Sequence, residues 1–176
     1  MHTLVVVAAC SMLLAAVCVQ AVPRILVVTA VDYEYAAIAA LLEQKTEDVL
    51  GGRQCTTGQV GAAAVAVIRS GWGKAHAAGA TSGAIERFRA QLVVMAGSAA
   101  GLDPTHIRSG DVVISQGTFQ YDVGQKSHGT IQIWRPRTPL EQPFPHDNFR
   151  SADHLIRLAV TAAHGASFPE WTLPCA

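Results

Sequence analysis

Apolar runs alternate with glycine-containing turns across Val65–Ser115, and this pattern constrains the fold more than any other feature of the chain. Two short runs, Val65–Ile68 and Leu92–Ala96, each lead into glycines, and a helix-length segment, Lys74–Arg89, lies between them. This order is typical of an α/β sheet whose strand ends present backbone groups to a small ligand. Leu92–Ala96 is apolar throughout, which predicts a central strand buried on both faces. Gly110–Ser115 predicts a further strand.

The region before this stretch predicts a first strand–turn–helix unit. Arg24–Thr29 is a short hydrophobic strand, Asp32 stands at a helix N-cap position, and Tyr35–Leu42 is a helix rich in alanine and leucine. The polar, glycine-containing segment Lys45–Gly61 predicts a turn or hairpin, and Val60–Ile68 resumes as a strand.

The region after it is less regular. Prolines and glycines in Gln116–Asn148 predict a long irregular segment, of the kind that is usually functional or disordered. Phe149–His164 carries apolar residues at helical spacing and predicts a helix.

Composition limits the classes of partner. The chain has 176 residues, half of them hydrophobic, and 13 basic residues balance 13 acidic ones. This suits one domain with a buried sheet, and it offers no basic surface for nucleic acid. We therefore expect a small-molecule ligand or a second copy of the chain as the partner.

The amino-terminal residues predict a targeting segment. Thr3–Val19 is apolar or small throughout, and Val19-Gln20-Ala21 fits a signal-peptidase pattern. We expect a signal peptide at residues 1–21, a domain at 22–176, and a secreted or periplasmic protein without stable membrane insertion after cleavage. An uncleaved anchor and a core element are the alternatives. Cleavage would leave Cys55 and Cys175, and no residues have metal-ligand spacing, so no metal site is expected.

Two short motifs are candidates for chemistry. A turn of small residues directly follows the apolar strand that ends at Ala96, and it would let backbone N–H groups and one hydroxyl approach a ligand oxygen. Its members are Gly97, Ser98, Ala99, Ala100 and Gly101. The second motif is Asp32-x-Glu34, which can be read as helix capping or as a carboxylate that takes a proton from water. The residues alone leave these two readings equal.

Five segments together carry a family resemblance. They are Ile25–Glu34, Ser70–Lys74, Gly97–Leu102, Gly110–Ser115 and Phe149–Leu158. On these the chain resembles the nucleoside phosphorylase/nucleosidase superfamily, and within it is most similar to the 5'-methylthioadenosine/S-adenosylhomocysteine nucleosidases. The resemblance implies a three-layer α/β/α fold around a central mixed sheet, with its C-terminal part missing from this chain.

The resemblance also implies a reaction. It is the hydrolysis of the N-glycosidic bond of a purine nucleoside, such as methylthioadenosine or S-adenosylhomocysteine, with release of the base. Glu34 falls on the family's carboxylate that deprotonates the attacking water, and Ser98 falls on the serine beside that water and the ribose. Gly97, Ala99, Ala100 and Gly101 fall in the same ligand-facing turn. This assignment requires that Glu34 and Ser98 share one pocket at the strand tips.

Phosphorolysis is the first alternative. Phosphorylases of the superfamily carry a phosphate-binding arginine three residues before the serine, where this chain has Met95, and their first loop carries an arginine that Thr29–Glu34 lacks. Hydrolysis is therefore favoured. The family's base-protonating acid and ribose-binding glutamate come from motifs later in the chain, which are absent here. A fragment, a truncated gene model and a non-catalytic nucleoside-binding or storage relative all remain open.

The resemblance implies a homodimer and no metal or organic cofactor. In complete relatives a loop of the neighbouring subunit often helps to close the pocket, and Gly117–Pro145 is the candidate for that loop.

Overall fold

The computed structural model describes residues 24–118, 124–133 and 149–166. The chain divides into two compact units, Met1–Ala100 and Gly101–Ala176. The predicted signal peptide lies outside the described residues. No helix in the described ranges is long and apolar enough to cross a membrane.

The first unit is built on a five-stranded sheet. Its elements in chain order are β1 (Ile25–Thr29), α1 (Asp32–Ala40), β2 (Glu43–Leu50), β3 (Arg53–Val60), β4 (Ala63–Arg69), α2 (Lys74–Phe88) and β5 (Leu92–Met95). The strand order is β2-β3-β4-β1-β5. β1 runs parallel to β4 and β5, whereas β3 runs antiparallel to β2 and β4, so the sheet is mixed.

The alternation of side chains along β1 and β4 gives the sheet two apolar faces. On one face, Leu26 and Ile68 are fully buried with Ala80, Ala84 and Phe88 of α2. On the other, Val65 and Val67 pack with Leu42, and Tyr35 and Ile38 of α1 lie against them. The two helices therefore cover opposite faces, which is the predicted three-layer α/β/α arrangement with a mixed sheet.

Alanines explain why α2 lies close to the sheet. Ala80 and Ala84 are one helical turn apart on its inner face, and both are buried. The helix ends in a left-handed residue, Arg89. The predicted helix Lys74–Arg89 is confirmed to within one residue.

The predicted turn or hairpin at Lys45–Gly61 is a hairpin of β2 and β3. Its tip is Gly51-Gly52, where both residues have positive φ angles, of 57° and 76°. Side chains strongly disfavour two consecutive left-handed residues, so the glycine pair fixes the position of this turn.

Two predictions for this unit need correction. Asp32 does not cap α1, because the N-cap is Val31 and Asp32 is the first helical residue. Glu34, at the third helical position, caps instead. The strand Leu92–Met95 is not central, since β5 is an edge of the five-stranded sheet and Met95 is 70 % exposed. A continuous apolar run indicates that a strand needs cover on both faces, and it does not indicate which residues supply that cover.

The described residues of the second unit form four short strands and one helix: β6 (Gly117–Thr118), β7 (Gly124–Ser127), β8 (Thr130–Ile133), β9 (Phe149–Arg150) and α3 (Asp153–Gly165). β6 pairs with β9 and β7 pairs with β8, both antiparallel. The predicted irregular segment Gln116–Asn148 thus contains a hairpin, and its remaining residues, 119–123 and 134–148, lie outside the described ranges.

Two predictions for the second unit are wrong. Residues 111–115 have irregular backbone, and Val112 and Val113 are exposed. β-rich composition is not sufficient for a strand, because a strand needs a hydrogen-bonding partner. The helix predicted from Phe149 begins at Asp153, because Phe149–Arg150 pairs with β6 instead.

Candidate active site at the ends of β1 and β5

The carboxylate of Glu34 joins two segments that are far apart in the sequence. Its Oε1 accepts hydrogen bonds from the backbone N–H of Ser98 at 2.7 Å and from Ser98 Oγ at 2.8 Å. Its Oε2 accepts from the backbone N–H groups of Ala30 at 3.0 Å and Val31 at 3.3 Å. A carboxylate offers about four lone-pair positions, so protein donors occupy all of them.

Strand pairing brings these segments together. β1 and β5 are parallel neighbours, and their pairing continues to Ala96, whose N–H donates to Val28 O at 3.0 Å. The carboxyl ends of parallel neighbours lie at the same edge of a sheet, so the residues that follow each strand meet there. Glu34, from the helix after β1, therefore reaches the turn after β5.

Gly97 leaves the space that Glu34 occupies. A Cβ added to Gly97 would lie 2.9 Å from Oε1 of Glu34 and 3.0 Å from its Cδ. These distances are shorter than van der Waals contact, so any larger residue at position 97 requires the carboxylate to move.

Tyr33 is a member of the site that sequence reasoning missed. Its hydroxyl lies 2.9 Å from Ser98 Oγ. Ser98 has one hydroxyl hydrogen and donates it to the ionised Glu34, so Tyr33 is the donor in the Tyr33–Ser98 bond. The hydrogen bonds therefore run in one direction, from Tyr33 through Ser98 to Glu34. The only sequence signal for this role is the position of Tyr33 between two acidic residues in the first helical turn.

The surroundings keep Glu34 ionised. Burial is the largest single influence and raises its pKa, whereas the hydrogen bonds from Ser98, Ala30 and Val31 lower it. Together the hydrogen bonds outweigh burial, and the pKa of Glu34 lies below its usual value. The carboxylate is therefore fully charged at neutral pH.

The other candidate residues are placed differently. Ala99 and Ala100 are exposed. Gly101 belongs to the second unit, where a Cβ on it would lie 3.1 Å from Cγ2 of Ile107. Asp32 forms an ion pair with Arg69. The contacts of Glu34 with the turn are thus made by Gly97 and Ser98.

Replacing Ser98 by Ala is expected to raise the pKa of Glu34 above its value in the unmodified chain, because the hydroxyl donor is lost and the backbone donor stays. A carboxyl group whose pKa is lowered in the folded state stabilises the fold at pH values above the usual glutamate pKa. This stabilisation is lost as the pH falls through the lowered pKa. In Ser98→Ala, the free energy of unfolding should therefore decrease by less as the pH falls, and the decrease should be complete at a higher pH. Denaturant unfolding, measured at several pH values from about 7 down to about 2, checks this prediction, because that range spans the usual pKa values of carboxyl groups.

Ser82→Ala is the matched control for this prediction, since Ser82 is an exposed serine on α2. Ser82→Ala should leave the decrease in the free energy of unfolding at low pH unchanged. If the free energy of unfolding falls with pH in the same way in Ser98→Ala and Ser82→Ala, the Ser98 hydroxyl does not lower the pKa of Glu34.

No group of three or more His, Cys, Asp or Glu side chains within residues 24–118, 124–133 and 149–166 is arranged to hold a metal ion. The described site consists of one carboxylate, two hydroxyls and backbone N–H groups. These groups can bind and orient water or a sugar hydroxyl, and they can accept a proton.

Comparison with known proteins identifies relatives of this chain. The family model of the phosphorylase superfamily matches residues 24–169. A 5'-methylthioadenosine/S-adenosylhomocysteine nucleosidase of Geobacillus thermodenitrificans is 30 % identical over 137 residues, which are 78 % of this chain and 55 % of that protein. A nucleosidase of the same name from Bacillus cereus is 35 % identical over 100 residues, which are 57 % of this chain and 43 % of the relative. The chain spans about half the length of the curated relatives it matches.

Solved structures agree in fold. The 5'-methylthioadenosine/S-adenosylhomocysteine nucleosidase of Neisseria meningitidis, in complex with methylthio-immucillin-A, superposes with a TM-score of 0.66 at 28 % identity, covering 80 % of this chain and 58 % of that one. The nucleosidase of Colwellia psychrerythraea, in complex with adenine, gives a TM-score of 0.67 at 28 % identity, with 80 % and 55 % covered.

Proposed function

This chain belongs to the phosphorylase superfamily, and from that premise we propose that it hydrolyses the N-glycosidic bond of purine nucleosides such as 5'-methylthioadenosine or S-adenosylhomocysteine. The observation that carries the proposal is the double hydrogen bond from Ser98 to Oε1 of Glu34, at 2.7 and 2.8 Å. It joins a carboxylate and a hydroxyl from different strand ends into one site. A relative that carries the nucleosidase name and is 30 % identical to this chain supports the same function.

The hydrogen-bond geometry suggests how the attacking water molecule reaches the carboxylate of Glu34. All four lone-pair positions of Glu34 are occupied, and three of the donors are backbone N–H groups that cannot rotate away. The Ser98 side chain can rotate about its Cα–Cβ bond, which moves its hydroxyl away from Oε1. A water molecule can then take its place on Oε1 and hydrogen-bond to Ser98 Oγ as well.

The charge of the carboxylate suits this reaction. Cleavage of an N-glycosidic bond passes through an oxocarbenium-like sugar, which carries positive charge. Ionised Glu34 stabilises that charge and accepts the proton of water as the bond to the sugar forms. A lowered pKa makes it a weak base toward free water, so proton transfer follows the development of charge on the sugar rather than preceding it.

Phosphorolysis is less well supported, because phosphate binding needs a cation beside the Ser98 turn. The residue three positions before Ser98 is Met95, and the guanidinium of Arg69 is paired with Asp32.

Adenine release from 5'-methylthioadenosine, followed with and without inorganic phosphate, tests the proposal. We expect base release that is independent of phosphate and a free sugar as the second product. Phosphate-dependent release of a sugar 1-phosphate would establish phosphorolysis instead. Binding of the nucleoside without any release would establish a non-catalytic binding protein.

A homodimer and an extracytoplasmic location are also part of the proposal. They follow from the family resemblance and from the apolar segment at residues 3–19. Sedimentation of the purified chain and amino-terminal sequencing of the secreted product test these two statements.

A further inference from the structure

Tyr33 is connected to the candidate catalytic carboxylate through a single atom, Oγ of Ser98. The Tyr33 hydroxyl lies 2.9 Å from Ser98 Oγ, and that oxygen lies 2.8 Å from Oε1 of Glu34. Tyr33 and Glu34 are consecutive residues in the first turn of α1, whereas Ser98 follows β5. The Ser98 hydroxyl is therefore held from two sides by the same helical turn.

Packing of the core does not account for the Tyr33 side chain. It is 66 % exposed, and it belongs to neither apolar cluster of the described residues. Tyr35, two positions later, is different. It packs against the sheet beside α1, and its hydroxyl hydrogen-bonds to Thr56 Oγ1. The contact that the Tyr33 hydroxyl makes is thus with the site rather than with the core.

The charge of Glu34 strengthens the bond between Tyr33 and Ser98. A hydroxyl that donates to an ionised carboxylate is polarised, so its oxygen becomes a better acceptor. A phenol is more acidic than an aliphatic hydroxyl, which makes Tyr33 a good donor to that oxygen. Tyr33 and Glu34 therefore favour the same rotamer of Ser98, the one with Oγ on Oε1.

This rotamer places the Ser98 hydroxyl where hydrolysis needs water. The backbone N–H of Ser98 also binds Oε1, at 2.7 Å, so the turn is fixed and the side chain is the part that moves. Side chains occupy discrete staggered rotamers, so Oγ leaves Oε1 in one step rather than gradually. That step also carries Oγ away from the Tyr33 hydroxyl, and the bond to Tyr33 opposes it.

We propose that Tyr33 is a positioning residue that holds Ser98 on the Glu34 carboxylate and so limits how often water replaces the Ser98 hydroxyl there. This role rests on the proposed function, because the replacement of Ser98 by water is a step of the hydrolysis. It follows that removal of the Tyr33 hydroxyl speeds the release of the base.

Steady-state kinetics of Tyr33→Phe with 5'-methylthioadenosine test this role. At saturating nucleoside we expect adenine release about twofold to tenfold faster than in the unmodified chain, the change in population that one net hydrogen bond produces. KM should stay the same, because the substitution changes the position of Ser98 after the nucleoside has bound. Tyr35→Phe is the matched control, since it removes a hydrogen-bonded phenol hydroxyl from the same helix, and it should not change the rate.

A double variant assigns the effect to the contact with Ser98. In a Ser98→Ala chain there is no hydroxyl to hold, so the further substitution Tyr33→Phe should leave the rate as it is. The rotamer of Ser98 is a readout that needs no turnover. Three-bond NMR couplings between its Hα and Hβ protons should report one rotamer in the unmodified full chain and an average over rotamers in Tyr33→Phe.

Four results would each overturn the inference and leave the proposed function standing. They are a Tyr33→Phe chain that is no faster than the unmodified one, a raised KM, an equal acceleration in the Ser98→Ala background, and an unchanged Ser98 rotamer. If the unmodified chain and Tyr33→Phe both release no adenine, the proposed function itself fails, and the role of Tyr33 in hydrolysis fails with it.

Discussion

Glu34→Gln is expected to lower the rate of base release by about 10²–10⁴-fold, the usual contribution of a positioned general base. The amide cannot accept the proton of water, and it carries no charge to stabilise a cationic sugar. Adenine release under saturating 5'-methylthioadenosine measures the effect on the chemical step rather than on binding.

The structure predicts a second consequence of this substitution. Glu34 accepts four hydrogen bonds, two on each oxygen. A glutamine has one accepting oxygen, and its NH₂ group would face two N–H or O–H donors. We therefore expect a loss of stability on the order of 1–3 kcal/mol, from two lost hydrogen bonds.

Glu86→Gln controls for the change of charge, since Glu86 is an exposed glutamate on α2. It should retain both turnover and stability. Turnover by Glu34→Gln at the rate of the unmodified chain would reject the catalytic role of Glu34. A loss of stability without a loss of activity would mean that Glu34 has only a structural role, as a helix cap that also binds the Ser98 turn.

The sequence predicts the first unit well because its signals are local. Glycine pairs, small residues at helical spacing and short apolar runs each determine their own segment, and the hairpin, α2 and the parallel strands follow from them. The open question in the sequence was whether Glu34 caps a helix or belongs to a site. In the structure it accepts from Val31 at the helix start and from Ser98 across the sheet edge, so one carboxylate makes both kinds of contact.

The missed features depend on contacts between distant segments. Tyr33 is recognisable only when Ser98 lies beside it, 65 positions later. The exposure of β5 and of Val112 depends on which strands pair, and an apolar run carries no information about its partner.

Gly97→Ala is expected to have the second large effect, a loss of activity of about 10²-fold, which is the scale for an error of about 1 Å in the position of a catalytic group. The new methyl group would lie 2.9–3.0 Å from the carboxyl group of Glu34. The carboxylate is the far end of a flexible side chain, so it can swing aside and leave Ser98. The backbone need not move, and stability should fall by only about 1–2 kcal/mol for the lost hydrogen bonds.

Gly83→Ala is the matched control for this prediction. Gly83 lies inside α2, and a Cβ added there meets nothing within 4 Å. It should leave activity unchanged and stabilise the chain by up to about 1 kcal/mol, the difference in helix propensity between the two residues. Turnover and thermal unfolding of both variants separate the two effects. If Gly97→Ala turns over as fast as Gly83→Ala, the rate does not depend on where the Glu34 carboxylate lies before the nucleoside binds. A fully active Gly97→Ala together with an inactive Glu34→Gln would mean that the side chain finds its catalytic position only after the nucleoside binds.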